Sequence, residues 1–408
     1  MRMPMSRRKW TELLAWAPAG AALSRAQNSN PRPFRVTVPK HQIDHILTKM
    51  RQTEWPDPIG APGWAYGVSY TYLKELTAYW TTHFDWRKVE ERLNRYPQFL
   101  ARVDDSDIHY LHARGTGVRP MPIVLTHGWP GSVIEFLDAI GPLTDPVKYG
   151  GSAADAFDVV VPSLPGFGFS SKPKANPVGP VTTARLWHKL MTQVNGYTRY
   201  GAQGGDWGNA VTVQLAAQFP DELFGIHLNA AGARPAPEAE RTEEERAWLR
   251  DAAAYRQLEL DYFNEQQHKP QTVAFALADN PLGTAAWIGE KLKSWSDSDD
   301  ELDSALTKDQ VLANITWYLV TRTEGSSIWF YRGNADEPAA PRGKISVPTG
   351  FAAFPKEMPP LAPPRSMLER EFNLVHYTKM PRGGHFACFE QPQLFVEDLR
   401  VFFRRFRS

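Results

Sequence analysis

Short apolar runs, set between helix-length stretches with a polar side, organise this chain from about residue 120 onward. Ile123-Val124-Leu125 ends in a turn, Val159-Val160-Val161 forms a second run, and the segment GYTRYGAQGGDWG holds a third that breaks into a helix ending before Pro220. Runs that are apolar throughout, rather than alternating, mark strands covered on both faces. Their alternation with helices predicts a mostly parallel sheet flanked by helices. From Ala231 to about Glu324 the rhythm changes. Charged segments such as PEAERTEEERAWLRD, interspersed with tryptophan, read as several helices without intervening strands and are taken as an inserted cap. Strand-like runs resume at Ile345-Ser346-Val347 and Leu374-Val375-His376-Tyr377, and an amphipathic helix from Gln393 to Phe406 closes the chain. Ahead of the sheet, Phe34 to Asp85 is helical and loop-like, with Ile43, Ile46, Leu47 and Met50 at helical spacing. The expected organisation is a wrapping segment over 31–118, a core over 119–232, a helical cap over 233–325 and the rest of the core over 326–408.

Residues 1–30 stand apart. A basic start (Arg2, then Ser6-Arg7-Arg8-Lys9) precedes a mildly apolar run from Leu13 to Leu23 and then Ser24-Arg25-Ala26. That is the layout of an export signal of the twin-arginine type, which would place the mature protein in the periplasm. The competing reading is a disordered tail on a cytoplasmic protein, since Trp16 and Pro18 make a poor apolar core.

Composition narrows the function classes. The 408 residues are 42% hydrophobic and 22% charged with a formal net charge of +1, which gives no electrostatic footprint for nucleic acid or an anionic membrane. No apolar run reaches the roughly 18–20 residues a membrane-spanning helix needs. The single Cys388 excludes an internal disulfide and a cysteine-ligated metal. His41 and His45 have the helical spacing of metal ligands, but position 42 is Gln and no third ligand is in view, so a solvated helix face is the better reading. Fourteen tryptophans hint at aromatic-lined cavities. Oligomeric state is left open, with a homodimer as one option.

Three motifs carry chemistry. Gly204-Gly205-Asp206-Trp207-Gly208 places an acid at a strand-to-helix junction with small residues two before and two after it. In α/β-hydrolases that sharp turn lifts a nucleophile to the head of the sheet, and here the nucleophile would be Asp206 where serine is usual. Alone, Asp206 could be a plain helix cap. His127-Gly128-Trp129-Pro130-Gly131 follows a strand, and the backbone N–H groups of Trp129 and Trp207 are the candidate oxyanion donors. Pro381-Arg382-Gly383-Gly384-His385-Phe386 puts His385 after the last strand, in keeping with the chain order nucleophile, acid, histidine. The acid is to be chosen among Asp336, Glu337, Glu357, Glu369 and Glu371. Glu357, in the turn after KISVPTG, is best placed at a sheet end, and the others read as solvated surface charge.

Together HGWPGS, VPSLPGFGFS, GGDWG, VPTGFAAFP and PRGGHF resemble the microsomal-type epoxide hydrolase family, from about Pro33 to the C-terminus. The resemblance implies an α/β-hydrolase fold with a cap and an N-terminal wrapping segment. It also implies a small apolar epoxide as substrate and no metal or organic cofactor. Carried over by motif, Asp206 is the nucleophile, His385 the base and Glu357 its partner. The family's two cap-side tyrosines fall on Tyr331 in SSIWFYRGN and, more loosely, on Tyr262 in LDYFNEQQHKP, with Tyr255 as a fallback. Its mammalian members carry a membrane anchor where this chain has its signal-like segment, so membrane attachment does not transfer. Two rival readings remain. One is a haloalkane or haloacid dehalogenase with the same aspartate elbow, in which Trp207 would bind halide. The other is a ligand-binding relative without turnover.

Overall fold

The apolar runs become the middle of a single nine-stranded sheet. A computed structural model describes residues 31–60, 63–338 and 343–407. The export-signal reading of residues 1–30 lies outside the described residues. The strands are β1 (Arg32–Phe34), β2 (Gln98–Val103), β3 (Ser106–Ala113), β4 (Met121–Thr126), β5 (Phe157–Pro162), β6 (Tyr200–Gly204), β7 (Leu223–Leu228), β8 (Ile345–Ala353) and β9 (Phe372–Lys379). Their order across the sheet is β1-β2-β3-β5-β4-β6-β7-β8-β9. From β5 to β9 every pairing is parallel, and every residue of β5 and β6 is buried, as expected of strands covered on both faces.

The described residues after Phe34 are helical and loop-like to Asp85, as expected, and the strands β1, β2 and β3 on either side of them form an antiparallel edge that the sequence pattern did not predict. Histidines at 109 and 112 interrupt the apolar pattern of β3, yet both are buried. His109 is satisfied by Ser163 Oγ and Gln98 Oε1, and His112 by the Tyr197 hydroxyl. Burial lowers His109 to about 3 and His112 to about 4, so both rings sit neutral inside the sheet.

The parallel register aligns the carboxyl ends of the central strands, with Thr126 beside Gly204 and Gly204 beside Leu228. Ligands in open α/β sheets bind outside those ends, and here the HGWPG and GGDWG turns leave the sheet side by side. Between β7 and β8 the described residues form helices joined by loops, with no strand among them. Helices Glu243–Glu259, Asp261–His268, Pro270–Leu277, Pro281–Trp295, Lys308–Thr321 and Trp329–Asp336 form the block above the site. The helix Lys308–Thr321 starts at a capping box between Thr307 and Gln310 and is buried on all sides from Val311 to Val320. An all-round buried helix has no polar stripe, which is why its amphipathic signal is weak. The N-terminal helix Lys40–Gln52 packs on this block and on the helix Tyr70–Thr82. There His45 Nε2 lies 2.6 Å from Asp279 Oδ1. No helix among the described residues is long and apolar enough to cross a membrane.

One buried carboxylate fastens the last helix, Pro392–Arg404, to the sheet. Asp398 accepts hydrogen bonds from His227 Nε2 in β7 (2.8 Å) and from His376 Nε2 (2.8 Å) and Thr378 Oγ1 (2.6 Å) in β9. Burial by itself would raise this carboxyl, but those donors hold it well below the usual carboxylate range. A depressed folded-state pKa contributes stability that is fully present above the unfolded value, near 4, declines as pH falls below it and is gone only once pH passes below the folded value. Asp398→Asn is therefore expected to cost about 2–4 kcal/mol at pH 7 and about 1 kcal/mol less than that at pH 3, where the unfolded carboxyl is protonated while the folded one is still ionised. Urea unfolding at the two pH values checks this, and an equal loss at both would contradict it.

Candidate active site

Backbone geometry fixes the position of Asp206 before any side-chain chemistry is considered. Its φ is +47°, in the left-handed region that Asp and Asn tolerate better than most side chains. A Cβ on Gly204 would lie 2.0 Å from the Gly208 carbonyl oxygen, and one on Gly208 would lie 1.9 Å from the Thr126 carbonyl oxygen. Position 204 must therefore be glycine for the turn to close on residue 208, and position 208 must be glycine for the turn to sit this close to β4. Asp206 opens the helix Asp206–Gln218, so its carboxylate stands at a helix N-terminus, where negative charge is favoured.

Two strand ends bring the remaining groups to it. Asp206 Oδ1 accepts a hydrogen bond from the Trp129 N–H at 2.8 Å. Asp206 Oδ2 lies 3.2 Å from His385 Nε2, and His385 Nδ1 lies 2.7 Å from Glu357 Oε1. Glu357 follows β8, and a bridge between Lys356 and Gly384 draws its turn against the loop that holds His385. The His385 N–H donates to the Trp295 carbonyl at 2.8 Å, and the Met358 N–H donates to Glu357 Oε1 at 2.8 Å, so both ends of the pair are fixed by backbone. With Nδ1–H committed to Glu357, Nε2 faces Asp206. Burial alone would lower the imidazole pKa. Glu357 and Asp206 outweigh it and hold His385 well above its usual value.

Of the five candidate acids, only Glu357 meets His385. Asp336 pairs with Arg332 and Glu369 with Arg365, in keeping with surface charge. Glu337 and Glu371 are not free solvated charges. Glu337 accepts from the backbone N–H groups of Gly179, Val181 and Thr182, and Glu371 is buried against Arg234 at 2.7 Å. Folding gives each a local partner that sequence position does not reveal. Of the two expected oxyanion donors, Trp129 touches the carboxylate. Trp207 directly follows Asp206 in the first turn of the helix, and no hydrogen bond joins its N–H to the carboxylate among the described residues. His127 is satisfied internally, with Nδ1 at the Gly128 carbonyl and Nε2 accepting from the Leu164 N–H. Burial lowers it to about 4.

On the other side of Asp206 lies a cavity of about 180 Å³ lined by Trp207, Leu260, Phe263, Met358 and Leu361, together with Tyr255, Tyr262 and Tyr331. Tyr262 stacks on the Trp129 ring at 5.7 Å between centroids, and Tyr331 stands edge-on to Trp207 at 4.8 Å. Burial, reinforced by the Asp206 charge, holds Tyr262 well above the ordinary phenol range. Burial together with Tyr262 and Asp206 does the same for Tyr331. Both hydroxyls stay protonated at neutral pH. Tyr255 reaches the same cavity, but its hydroxyl lies 2.8 Å from Met358 Sδ.

Sequence reasoning missed the groups that hold the HGWPGS turn. Asn314 Nδ2 donates to the Pro130 carbonyl and the Tyr318 hydroxyl to the Gly131 carbonyl, each at 2.6 Å, while Ser132 Oγ donates to Asn314 Oδ1. The available signal was a polar pair four residues apart in the otherwise apolar ANITWYLV.

Known proteins resemble this chain in sequence and fold. Residues 31–136 match the family described as "Epoxide hydrolase N terminus", and residues 121–297 match the alpha/beta hydrolase fold. The chain is 34% identical to Epoxide hydrolase 1 of Sus scrofa, over 95% of this chain and 91% of that protein. It superimposes on the Aspergillus niger epoxide hydrolase with a TM-score of 0.81 at 30% identity, covering 92% of this chain and 96% of the other. The juvenile hormone epoxide hydrolase of Bombyx mori gives a TM-score of 0.83 at 27% identity, covering 94% and 96%.

Proposed function

We propose, on the premise that this chain belongs to the epoxide hydrolase family and hydrolyses epoxides, that Asp206 is the nucleophile and that the substrate is a small apolar epoxide. The observation that carries the reading is that Asp206 stands between two phenols on one side and the His385–Glu357 pair on the other. An epoxide carbon is electrophilic, but its oxygen leaves poorly unless a proton or hydrogen bond reaches it. Asp206 attacks the carbon from behind, and an alkyl ester forms as the C–O bond of the ring breaks. Tyr262 and Tyr331 donate to the departing oxygen as its charge develops. Once Asp206 is an ester its negative charge is gone, and one of the two forces raising the His385 pKa goes with it. The imidazole can then act as a base toward water. Water adds to the Asp206 carbonyl carbon and gives its proton to His385, while the Trp129 N–H steadies the oxyanion. Collapse releases a vicinal diol and restores the carboxylate. The aromatic and aliphatic lining of the cavity supports an apolar substrate.

A panel of terpene, styrene-type and fatty-acid epoxides assayed for diol tests the substrate class, and consumption of charged epoxides alone would overturn it. Replacing both tyrosines (Tyr262→Phe with Tyr331→Phe) is expected to slow the single-turnover alkylation step by about 100-fold or more, since a positioned acid is worth at least that. Stopped-flow quenching of tryptophan fluorescence reads this step, because Trp129 and Trp207 both contact the tyrosine pair. An unchanged rate in the double variant removes the phenols from the mechanism.

A further inference from the structure

A second, smaller cavity opens behind the nucleophile. It holds about 20 Å³ and is lined by Glu135, Gln203, Asn229, His385 and Asp206 among others. A polar space needs on the order of 10–15 Å³ and two to four polar partners to hold one water. Among the described residues, Asp206 alone lines both this cavity and the apolar one, and His385 lines only the rear one. The carboxylate thus lies between an apolar chamber and a smaller one lined by polar side chains.

Two side chains in the rear chamber have polar atoms left over. Gln203 is 1% exposed and donates from Nε2 to Asn229 Oδ1 at 2.9 Å, while its Oε1 is buried without a partner among the described residues. Glu135 Oε1 accepts the Ser132 N–H at 2.9 Å, and no protein hydrogen bond reaches Oε2 among the described residues. Glu135 is only partly buried, and it lines the chamber. Capping the turn at Ser132 explains one of its carboxyl oxygens and leaves the other unexplained.

We propose that this rear chamber stores the hydrolytic water and that Glu135 is the positioning residue that orients it toward the Asp206 ester. The proposal rests on the covalent reading given above. The water donates one hydrogen to His385 Nε2 and the other to Glu135 Oε2, which leaves a lone pair aimed at the Asp206 carbonyl carbon. The new C–O bond forms as the first proton moves to His385. When the tetrahedral adduct collapses, the bond to the alkyl oxygen breaks and His385 returns the proton to that oxygen. Burial pushes the Glu135 carboxyl up to about 8, with the Asp206 charge adding to the rise and His385 opposing it. Esterification of Asp206 removes that repulsion and, as His385 becomes neutral, removes the opposing charge as well, so the ester gives Glu135 no net push toward ionisation and its part as acceptor rests on position.

The test is Glu135→Gln in the full-length protein. It keeps an oxygen for the Ser132 N–H but presents an amide N–H where a carboxyl oxygen accepted. Single-turnover kinetics with an apolar epoxide should show alkylation within about 3-fold of the parent. Breakdown of the ester should slow by at least about 10-fold, because small misplacements of a reacting atom are costly. Ser132→Ala serves as the control, because it loosens the same turn and leaves the Glu135 carboxyl in place. Ester breakdown at the parental rate in Glu135→Gln sinks the proposal, as does an equal slowing in Ser132→Ala. Failure of the parent protein to form any ester on Asp206 points instead to failure of the covalent reading.

Discussion

Asp206→Asn is expected to lower steady-state diol formation by on the order of 10⁴-fold or more while leaving the fold intact, a loss of the size seen when a nucleophile is removed. The fold should survive because Asn shares the tolerance of Asp for the left-handed backbone that residue 206 adopts, at φ +47°. Its carbonyl oxygen can still accept the Trp129 N–H, so the contact at 2.8 Å need not be lost. What disappears is the negative charge. A neutral amide oxygen is a weak nucleophile toward carbon, and His385 loses one of the two carboxylates that raise its pKa. The neutral imidazole then faces an amide carbonyl where it would normally face an ester. Slow hydrolysis of that amide back to Asp is accordingly expected, and the assay belongs on freshly prepared protein. A companion experiment runs the parent enzyme through one turnover in heavy-oxygen water. The label should enter the Asp206 carboxyl group before it enters the diol. Full activity in fresh Asp206→Asn, or an unlabelled Asp206 peptide after that turnover, would falsify the covalent route.

The parts of this site that could be read from sequence are those held by local backbone rules. A turn that must close on residue 208 and approach β4 closely admits only glycine at 204 and 208, and that demand is written directly into GGDWG. His385 likewise announces itself through the glycines beside it and its place after the last strand. Glu357 could be chosen because β8 ends just before it. Groups whose meaning depends on a distant partner were opaque. Glu337 and Glu371 look like any surface acid until folding sets them against residues 179–182 and Arg234. Glu135 sits in a capping-box pattern, and a local reading stops there. The strand β3 was missed for a related reason. Its apolar run is broken by His109 and His112, whose burial is made tolerable by Ser163, Gln98 and Tyr197 from elsewhere in the chain.

His385→Gln should split the reaction in two. Alkylation needs the Asp206 carboxylate and the phenols, and none of these is removed, so one equivalent of epoxide is expected to be consumed in a fast phase. The second half requires a base, and glutamine cannot take a proton at any ordinary pH. The ester should then persist, with steady turnover reduced by about 10⁴-fold or more. Intact-mass analysis should show the protein heavier by the mass of one epoxide, and peptide mapping should put the addition on Asp206. The introduced side-chain amide can still donate a hydrogen bond toward Glu357, which matters because Glu357 is 7% exposed and already has one oxygen without a partner among the described residues. Leaving this buried carboxylate with the Met358 N–H but no side-chain donor would cost several kcal/mol, so an alanine in place of His385 would confuse loss of chemistry with loss of fold. Adduct with no turnover assigns His385 to ester breakdown. If neither adduct nor turnover is seen in a folded protein, the imidazolium is needed earlier, to hold the Asp206 carboxylate or to supply the proton that reaches the ring oxygen through the tyrosines. The 3.2 Å contact between Nε2 and Oδ2 makes that the one alternative with a structural basis. The pH dependence of alkylation in the parent enzyme separates the two. A rate that falls as the imidazolium loses its proton supports the earlier role, and a flat rate leaves His385 with ester hydrolysis alone.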